Sequence, residues 1–102
     1  MQFHTDITRR SLALHTAIAE KLLADPSLLS IARANIERWS STSHHSAKYF
    51  TRWLEILDLP LAELLIAITS ETEEMIELRQ SSPFAGVLTP KERWRIYETF
   101  RA

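Results

Sequence analysis

The clearest helix signal in this 102-residue chain is Thr89-Pro90-Lys91-Glu92-Arg93-Trp94. A threonine just before a helix and a glutamate three residues later satisfy each other's backbone amides, an arrangement called a capping box. Proline suits the first helical position, because its missing amide hydrogen would have no partner there. The run therefore predicts a final helix, which carries Trp94, Tyr97 and Phe100.

Similar signals divide the preceding residues into further helices. Asp25-Pro26 ends a first helix that begins near Asp6, and the same pair suits the start of a second helix with Asp25 as its N-cap. Runs of short hydroxyl side chains compete with helical backbone bonds and end helices. The other predicted boundaries are the end of the second helix at Ser40-Ser41-Thr42-Ser43, a third helix over residues 46–58, a fourth that starts at Pro60, and a fifth that starts with a capping box at Ser70-Glu71-Thr72-Glu73.

Apolar residues recur at helical spacing and predict which side of each helix is buried. The predicted inner faces are Ile7, Leu14, Ile18 and Leu22; Leu28, Ala32, Ile36 and Trp39; Phe50, Trp53, Leu54 and Leu57; and Leu61, Leu64, Leu65 and Ile68. No alternating strand pattern persists and no hairpin turn signal appears. The sequence therefore predicts an all-α fold, a single compact helical bundle of about five to six helices that spans residues 1–102 as one domain.

Composition excludes several classes of function. The chain has no cysteine, which rules out a disulfide framework, a thiolate metal site and a thiol nucleophile. One glycine cannot make a glycine-rich phosphate loop, and no Gly-x-Ser-x-Gly motif frames a serine nucleophile. No apolar run approaches the ~20 residues of a membrane helix, and no secretory signal precedes Asp6. We therefore expect a cytoplasmic protein without enzymatic activity and without a membrane partner.

The four histidines do not suggest a metal site. His44 and His45 are adjacent in a polar segment, and adjacent residues on a regular element do not face one point. His4 and His15 lack the spacing of four that is typical of a helical zinc site. We expect no metal or other cofactor, and we expect His15 to be a polar residue at the edge of the core.

Charge is distributed unevenly along the chain. Between Glu55 and Leu78 there are seven acidic residues and no basic one, whereas the rest of the chain holds all 12 Lys and Arg with six acidic residues. Such an asymmetry can steer encounter with a charged partner. Two solvated helix faces that differ in charge give the same asymmetry and need no partner.

Binding to DNA is the main alternative to binding a protein. A tight turn joins the first two predicted helices, and Arg33 and Arg38 lie on the second, which is the recognition helix in a helix-turn-helix. The last helix is a second basic candidate, with Lys91, Arg93, Arg95 and Arg101. Against DNA binding, the usual turn glycine is absent and the net charge is −1.

Two segments of the chain resemble one family of short, largely uncharacterised bacterial proteins. The first is the C-terminal run Leu78-Arg79-Gln80-Ser81-Ser82-Pro83-Phe84-Ala85-Gly86-Val87-Leu88-Thr89-Pro90-Lys91-Glu92-Arg93-Trp94. The second runs from Leu14-His15 through Ala24-Asp25-Pro26 to Arg38-Trp39. Some family members accompany toxin-type genes, so the resemblance implies a bacterial origin and an antitoxin-like or other accessory role. It implies no catalytic residue.

The loop over residues 81–88 lies inside the first of these segments. It contains the only glycine, Gly86, as expected where the backbone needs an unusual conformation. We expect the loop to fold back and bury Phe84, Val87 and Leu88. Arg79 is a candidate donor to the loop carbonyls, and Pro83 would help to fix the loop's path.

These observations favour a protein-binding function, and the family resemblance implies that of an antitoxin. The predicted partner surface contains Arg79, Phe84, Trp94 and Tyr97, because tryptophan, tyrosine and arginine are enriched at interfaces. Burial of the aromatic rings within the monomer is the alternative for these positions. Three acidic residues of the 55–78 segment would attract a basic partner such as a toxin: Glu73, Glu74 and Glu77. A dimeric DNA-binding regulator that uses Arg33 and Arg38 remains the alternative function, and self-association is compatible with both.

Overall fold

The computed structural model describes residues 6–42 and 47–100, and within them the chain is all-α. A 3₁₀ turn, Pro26–Leu28, leads into the second helix, and another, Arg79–Ser81, follows the fifth. The α-helices are α1 Asp6–Ala24, α2 Leu29–Ser40, α3 Ala47–Leu57, α4 Leu61–Ile68, α5 Glu73–Leu78 and α6 Pro90–Glu98. This confirms the predicted fold class, a helical bundle of five to six helices.

The predicted capping box of the last helix is present. The amide of Glu92 donates to Thr89 Oγ1 at 3.1 Å, and the amide of Thr89 donates to Glu92 Oε1 at 2.7 Å. Glu92 Oε1 also accepts a hydrogen bond from Lys21 Nζ at 2.7 Å, which connects α6 to α1. Lys21, together with the Thr89 amide, lowers the pKa of Glu92 to about 2. A local cap thus also fixes the position of the helix in the bundle.

The capping box predicted at Ser70 is wrong. The fifth helix begins two residues later, and its cap is Thr72, whose hydroxyl accepts from the Met75 amide at 3.1 Å. The cause is Arg79, which donates to the Ser70 carbonyl at 2.7 Å and to the Ile68 carbonyl at 3.0 Å. These bonds hold the end of α4 and the start of the connecting segment, so the next helix begins beyond them.

One apolar cluster fills the interior, and every helix from α1 to α5 contributes to it. Trp53 lies at its centre with no exposed surface, and it packs edge-on against Phe84 with ring centroids 5.5 Å apart. Helix α6 has no fully buried residue and packs through Ile96. The buried apolar side chains are Ile18, Leu22, Ala32, Ile36, Phe50, Trp53, Ile56, Leu57, Leu64, Ile68, Met75, Leu78, Phe84, Val87 and Leu88.

Two residues of the predicted inner faces, Ile7 and Leu54, are exposed. Leu54 is 40% exposed, because it stands about 100° around α3 from Trp53 while Ile56 takes the inward position. Ile7 is 64% exposed. It lies on the predicted side of α1, but in its first turn, at the margin of the core. The helical spacing of apolar residues predicted the correct side of α1 for Ile7. It contains no information on how far along the helix the core extends.

The loop over residues 81–88 folds back as predicted. Phe84, Val87 and Leu88 are buried, and Gly86 adopts φ +97°, a left-handed conformation that other residues resist. The donor to the loop carbonyls is Asn35 and not Arg79. Asn35 Nδ2 bonds the carbonyl of Pro83 at 2.8 Å and that of Ala85 at 2.9 Å. This buried amide fixes the loop against α2.

Replacement of Asn35 should therefore destabilise the fold. We expect Asn35→Ala to lower the free energy of unfolding by about 2–3 kcal/mol, because two carbonyls lose a shared buried donor. Urea denaturation followed by circular dichroism measures this change. Glu37→Ala, at an exposed position of the same helix, should change the free energy by less than about 0.5 kcal/mol. Equal effects of the two substitutions would contradict the assigned role of Asn35.

Candidate functional site: a basic cavity and an exposed helix face

His15 and Ser82 form a buried hydrogen-bonded pair between α1 and the loop. His15 Nδ1 lies 2.7 Å from the Ser11 carbonyl, and Nε2 lies 2.8 Å from Ser82 Oγ. A carbonyl only accepts, so Nδ1 carries the hydrogen and Nε2 of the neutral ring accepts from the Ser82 hydroxyl. Ser82 Oγ in turn accepts from the Phe84 amide at 3.3 Å. The chain of bonds ties the loop to the first helix.

This pair has the arrangement of a serine nucleophile and its histidine base, but the histidine is too weak a base for that role. Burial lowers the pKa of His15 from 6.5 to about 4, against the hydrogen bond to Ser11, and the charge of Arg79 lowers it further. A base this weak removes a proton from a serine hydroxyl poorly, since an efficient general base has a pKa near the working pH. A backbone carbonyl, rather than a carboxylate, orients the ring. We therefore assign the pair a structural role.

A cavity of about 180 Å³ opens beside this pair, between α1, the loop and α6. We call it the α1–α6 cavity. Its polar lining comes from Ser11, His15, Arg79, Ser82, Arg93 and Tyr97. Arg10 stacks over the ring of Tyr97, one of these lining residues, with its guanidinium carbon 5.1 Å from the ring centroid. The described residues that line the cavity include two arginines and no carboxylate.

Arg79 is the buried cation of this cavity. It is only 4% exposed, and its Nη1 makes the two carbonyl bonds that end α4. Its Nη2 is buried and has no hydrogen-bond partner among residues 6–42 and 47–100. Burial lowers the pKa of Arg79, and the charge of Glu71 partly opposes this. Arg79 also borders a smaller cavity of about 120 Å³, which includes Glu71.

The outward side of α6 presents an exposed tryptophan among charges. Trp94 is 52% exposed, and Lys91, Arg95 and Glu98 share its side of the helix. We call these four residues the outer α6 face. Glu92, Ile96 and Tyr97 lie on the opposite, half-buried side. The sequence prediction for Trp94 and Tyr97 thus separates into one exposed residue and one cavity residue.

Arg79 and Phe84, the other predicted contact residues, are buried within the chain. Both act within the fold, since Phe84 also lies edge-on to His15 with centroids 5.9 Å apart. Asn35 and Ser82 escaped the sequence analysis. A lone asparagine in the middle of an apolar helix stripe was the available signal for Asn35, whereas nothing local distinguishes Ser82 from the chain's other serines.

The acidic side chains of α5 are exposed and partly engaged within the chain. Glu74 accepts from Arg52 at 3.0 and 3.3 Å, and Arg52 lowers its pKa. Glu77 accepts from the Tyr49 hydroxyl, and this bond raises the pKa of Tyr49. Glu73 is exposed and makes no hydrogen bond or ion pair within the described part of the chain. Internal pairing therefore reduces the negative charge that the sequence alone suggested.

The two arginines of the DNA-binding alternative are also engaged. Arg33 Nη2 donates to the Leu57 carbonyl at 3.0 Å and to Asp58 Oδ1 at 2.8 Å, which connects α2 to the end of α3. Arg38 donates to Asn35 Oδ1 at 2.6 Å. Both side chains are exposed, but a base or phosphate contact would compete with these bonds.

The described residues contain neither a cluster of metal-ligating side chains nor a helix that could cross a membrane. Within residues 6–42 and 47–100, no three His, Asp or Glu side chains come together as a metal site would require. Three of the four histidines, His4, His44 and His45, lie outside these residues. In the same part of the chain, every helix is too short or too polar to cross a bilayer.

Comparisons of the chain with protein-family models, with curated proteins and with solved structures found no match. The basis for a functional proposal is therefore the chemistry of the cavity and of the outer α6 face.

Proposed function

We propose that this chain is a protein-binding module whose outer α6 face contacts the partner. The observation that carries the proposal is the exposure of Trp94, 52% of whose surface is accessible on a helix with no fully buried residue. Tryptophan and arginine dominate the energetics of protein interfaces. Burial of the exposed apolar surface of a tryptophan in a partner's pocket is favourable, because it removes that surface from water. Lys91 and Arg95 beside it suit a partner with an acidic rim around such a pocket.

A bacterial, cytoplasmic antitoxin is the specific form of this proposal that the family resemblance supports. Its mechanism is occlusion, in which the outer α6 face covers part of a toxin's surface. The acidic side of α5 is the second proposed contact. Glu73 contributes most to it, because Glu74 and Glu77 already have partners within the chain.

The first experiment identifies the partner by affinity purification of the tagged chain from its host, followed by native mass spectrometry. We then expect Trp94→Ala to weaken the purified complex by roughly 30-fold, as loss of an interface hot spot of about 2 kcal/mol does. Ile66→Ala is the matched control. Ile66 is 70% exposed and belongs to a different helix, α4, so its removal should leave affinity unchanged.

Charge substitutions test the rim of the same surface. Lys91→Gln with Arg95→Gln should weaken association at low salt and have little further effect at high salt, because exposed charges are screened there. Equal losses from Trp94→Ala and Ile66→Ala would contradict the assignment of the surface. Recovery of the chain without a stoichiometric protein partner would contradict the function itself. It would favour DNA binding through Arg33 and Arg38, which a gel shift at two salt concentrations measures.

A further inference from the structure

We infer that the α1–α6 cavity is a binding site for a phosphate group, either the free ion or a small phosphate monoester. The charges of the lining carry this inference first. Arg79 and Arg93 line the cavity, Arg10 lies beside it over Tyr97, and none of the described lining residues is acidic. The Arg93 side chain makes no ion pair or hydrogen bond within the described residues. Two guanidinium groups suit a dianion better than a monoanionic carboxylate, and their planar donors match phosphate oxygens.

The second observation is the unpartnered Nη2 of Arg79. Buried donors are nearly always paired, so an orphaned guanidinium nitrogen needs an explanation, and an ion is one. The two carbonyl bonds of Nη1 fix the guanidinium, so the side chain cannot turn toward solvent without breaking them. An oxyanion in the cavity would compensate a positive charge that Glu71 only partly balances.

The size and polarity of the cavity limit the ligand. Its volume of about 180 Å³ is smaller than the ~300–1,000 Å³ of ordinary small-molecule pockets, but holds several water-sized groups. Leu14, Ile18 and Phe84 form its apolar wall, which lowers the local dielectric and so strengthens electrostatic attraction. A bare phosphate or a monoester with a short substituent fits these dimensions.

The test is a titration of the isotopically labelled full chain with inorganic phosphate, followed by NMR at constant ionic strength. We expect saturable shifts of the His15 ring and of the Arg79 and Arg93 side chains. The pKa of His15 should rise with phosphate, since a nearby anion favours the charged ring. Acetate should bind more weakly than phosphate. A parallel titration with glycerol phosphate distinguishes the two sources. Tighter binding of inorganic phosphate indicates the free ion, and tighter binding of glycerol phosphate indicates a monoester.

Matched substitutions on α6 locate the site. Arg93→Gln should weaken phosphate binding by roughly tenfold or more, as loss of a charge-assisted hydrogen bond does. Arg95→Gln makes the same charge change two residues away, beside Lys21 and Glu92 and outside the cavity, and should alter binding less than about twofold. Three results would each overturn the inference. The first is NMR shifts that grow linearly with phosphate and equally with chloride, and the second is acetate binding as tight as phosphate binding. The third is an equal loss of phosphate affinity in the Arg93→Gln and Arg95→Gln variants. None of these measurements requires a protein partner, so they are independent of the proposed function.

Discussion

Trp53→Ala is expected to lower the free energy of unfolding by about 3–5 kcal/mol, the range for removal of a fully buried aromatic side chain. Trp53 has no exposed surface, and its indole Nε1 donates to the Leu78 carbonyl at 3.2 Å. Its ring also supports Phe84, the anchor of the 81–88 loop. A domain of this size has a total stability of about 5–15 kcal/mol, so the loss is a large share of it. Urea denaturation followed by far-ultraviolet circular dichroism measures the change.

Trp94→Ala removes the same kind of side chain from the outer α6 face and serves as the control. Because Trp94 is about half exposed, we expect this variant to lose less than about 1 kcal/mol. Circular dichroism is preferable to tryptophan fluorescence, since each substitution removes one of the three indoles. Similar losses from the two variants would contradict the central position of Trp53 in the core.

Acidification is expected to destabilise the protein through His15. The folded chain lowers the pKa of His15 from 6.5 to about 4, mainly through burial, so the folded state binds its proton less readily than the unfolded chain does. Both states carry a neutral ring above pH ~6.5, and the full stability is present there. As the pH falls from ~6.5 toward ~4, the unfolded state takes up a proton first, and stability decreases by about 3 kcal/mol in total.

His15→Gln separates this effect from the titration of carboxylates. The amide side chain does not titrate, so the stability difference between the original chain and the variant should shrink by about 3 kcal/mol between pH 7 and pH 4. Carboxylates shared by both proteins cancel in that difference. The His15 ring signal in NMR gives a second measurement, which needs no variant. A ring that titrates near pH 6.5, or a stability difference that is constant with pH, would contradict the neutral buried imidazole.

The sequence predicted those features that depend on neighbours along the chain. The Thr89 capping box, the break at Asp25-Pro26 and the left-handed Gly86 each follow from a short run of residues and a local backbone requirement. The burial of Phe84, Val87 and Leu88 followed from three large apolar residues in one loop. The misplaced cap at Ser70 shows the limit of this reasoning. The guanidinium of Arg79, nine residues further along, binds the Ser70 carbonyl, and Thr72 caps the helix instead.

The candidate site depended on contacts between distant residues. Arg79 was predicted at a partner surface, yet it is buried because the turn after α4 offers it two carbonyls. His15 meets Ser82 across 67 positions, at a place where burial lowers the pKa of the imidazole ring. Residue type and spacing contain no information about either contact.

The sequence by itself determined an all-α chain, the order of its helices and most of their inner faces, because capping, proline geometry and helical periodicity act within a few residues. The tertiary structure alone decided that Trp53 and not Leu54 occupies the centre, that Asn35 fixes the loop and that Arg79 and Arg93 line one cavity. These outcomes depend on the packing of the helices and the 81–88 loop against one another, since burial and charge compensation are properties of the surroundings of a side chain.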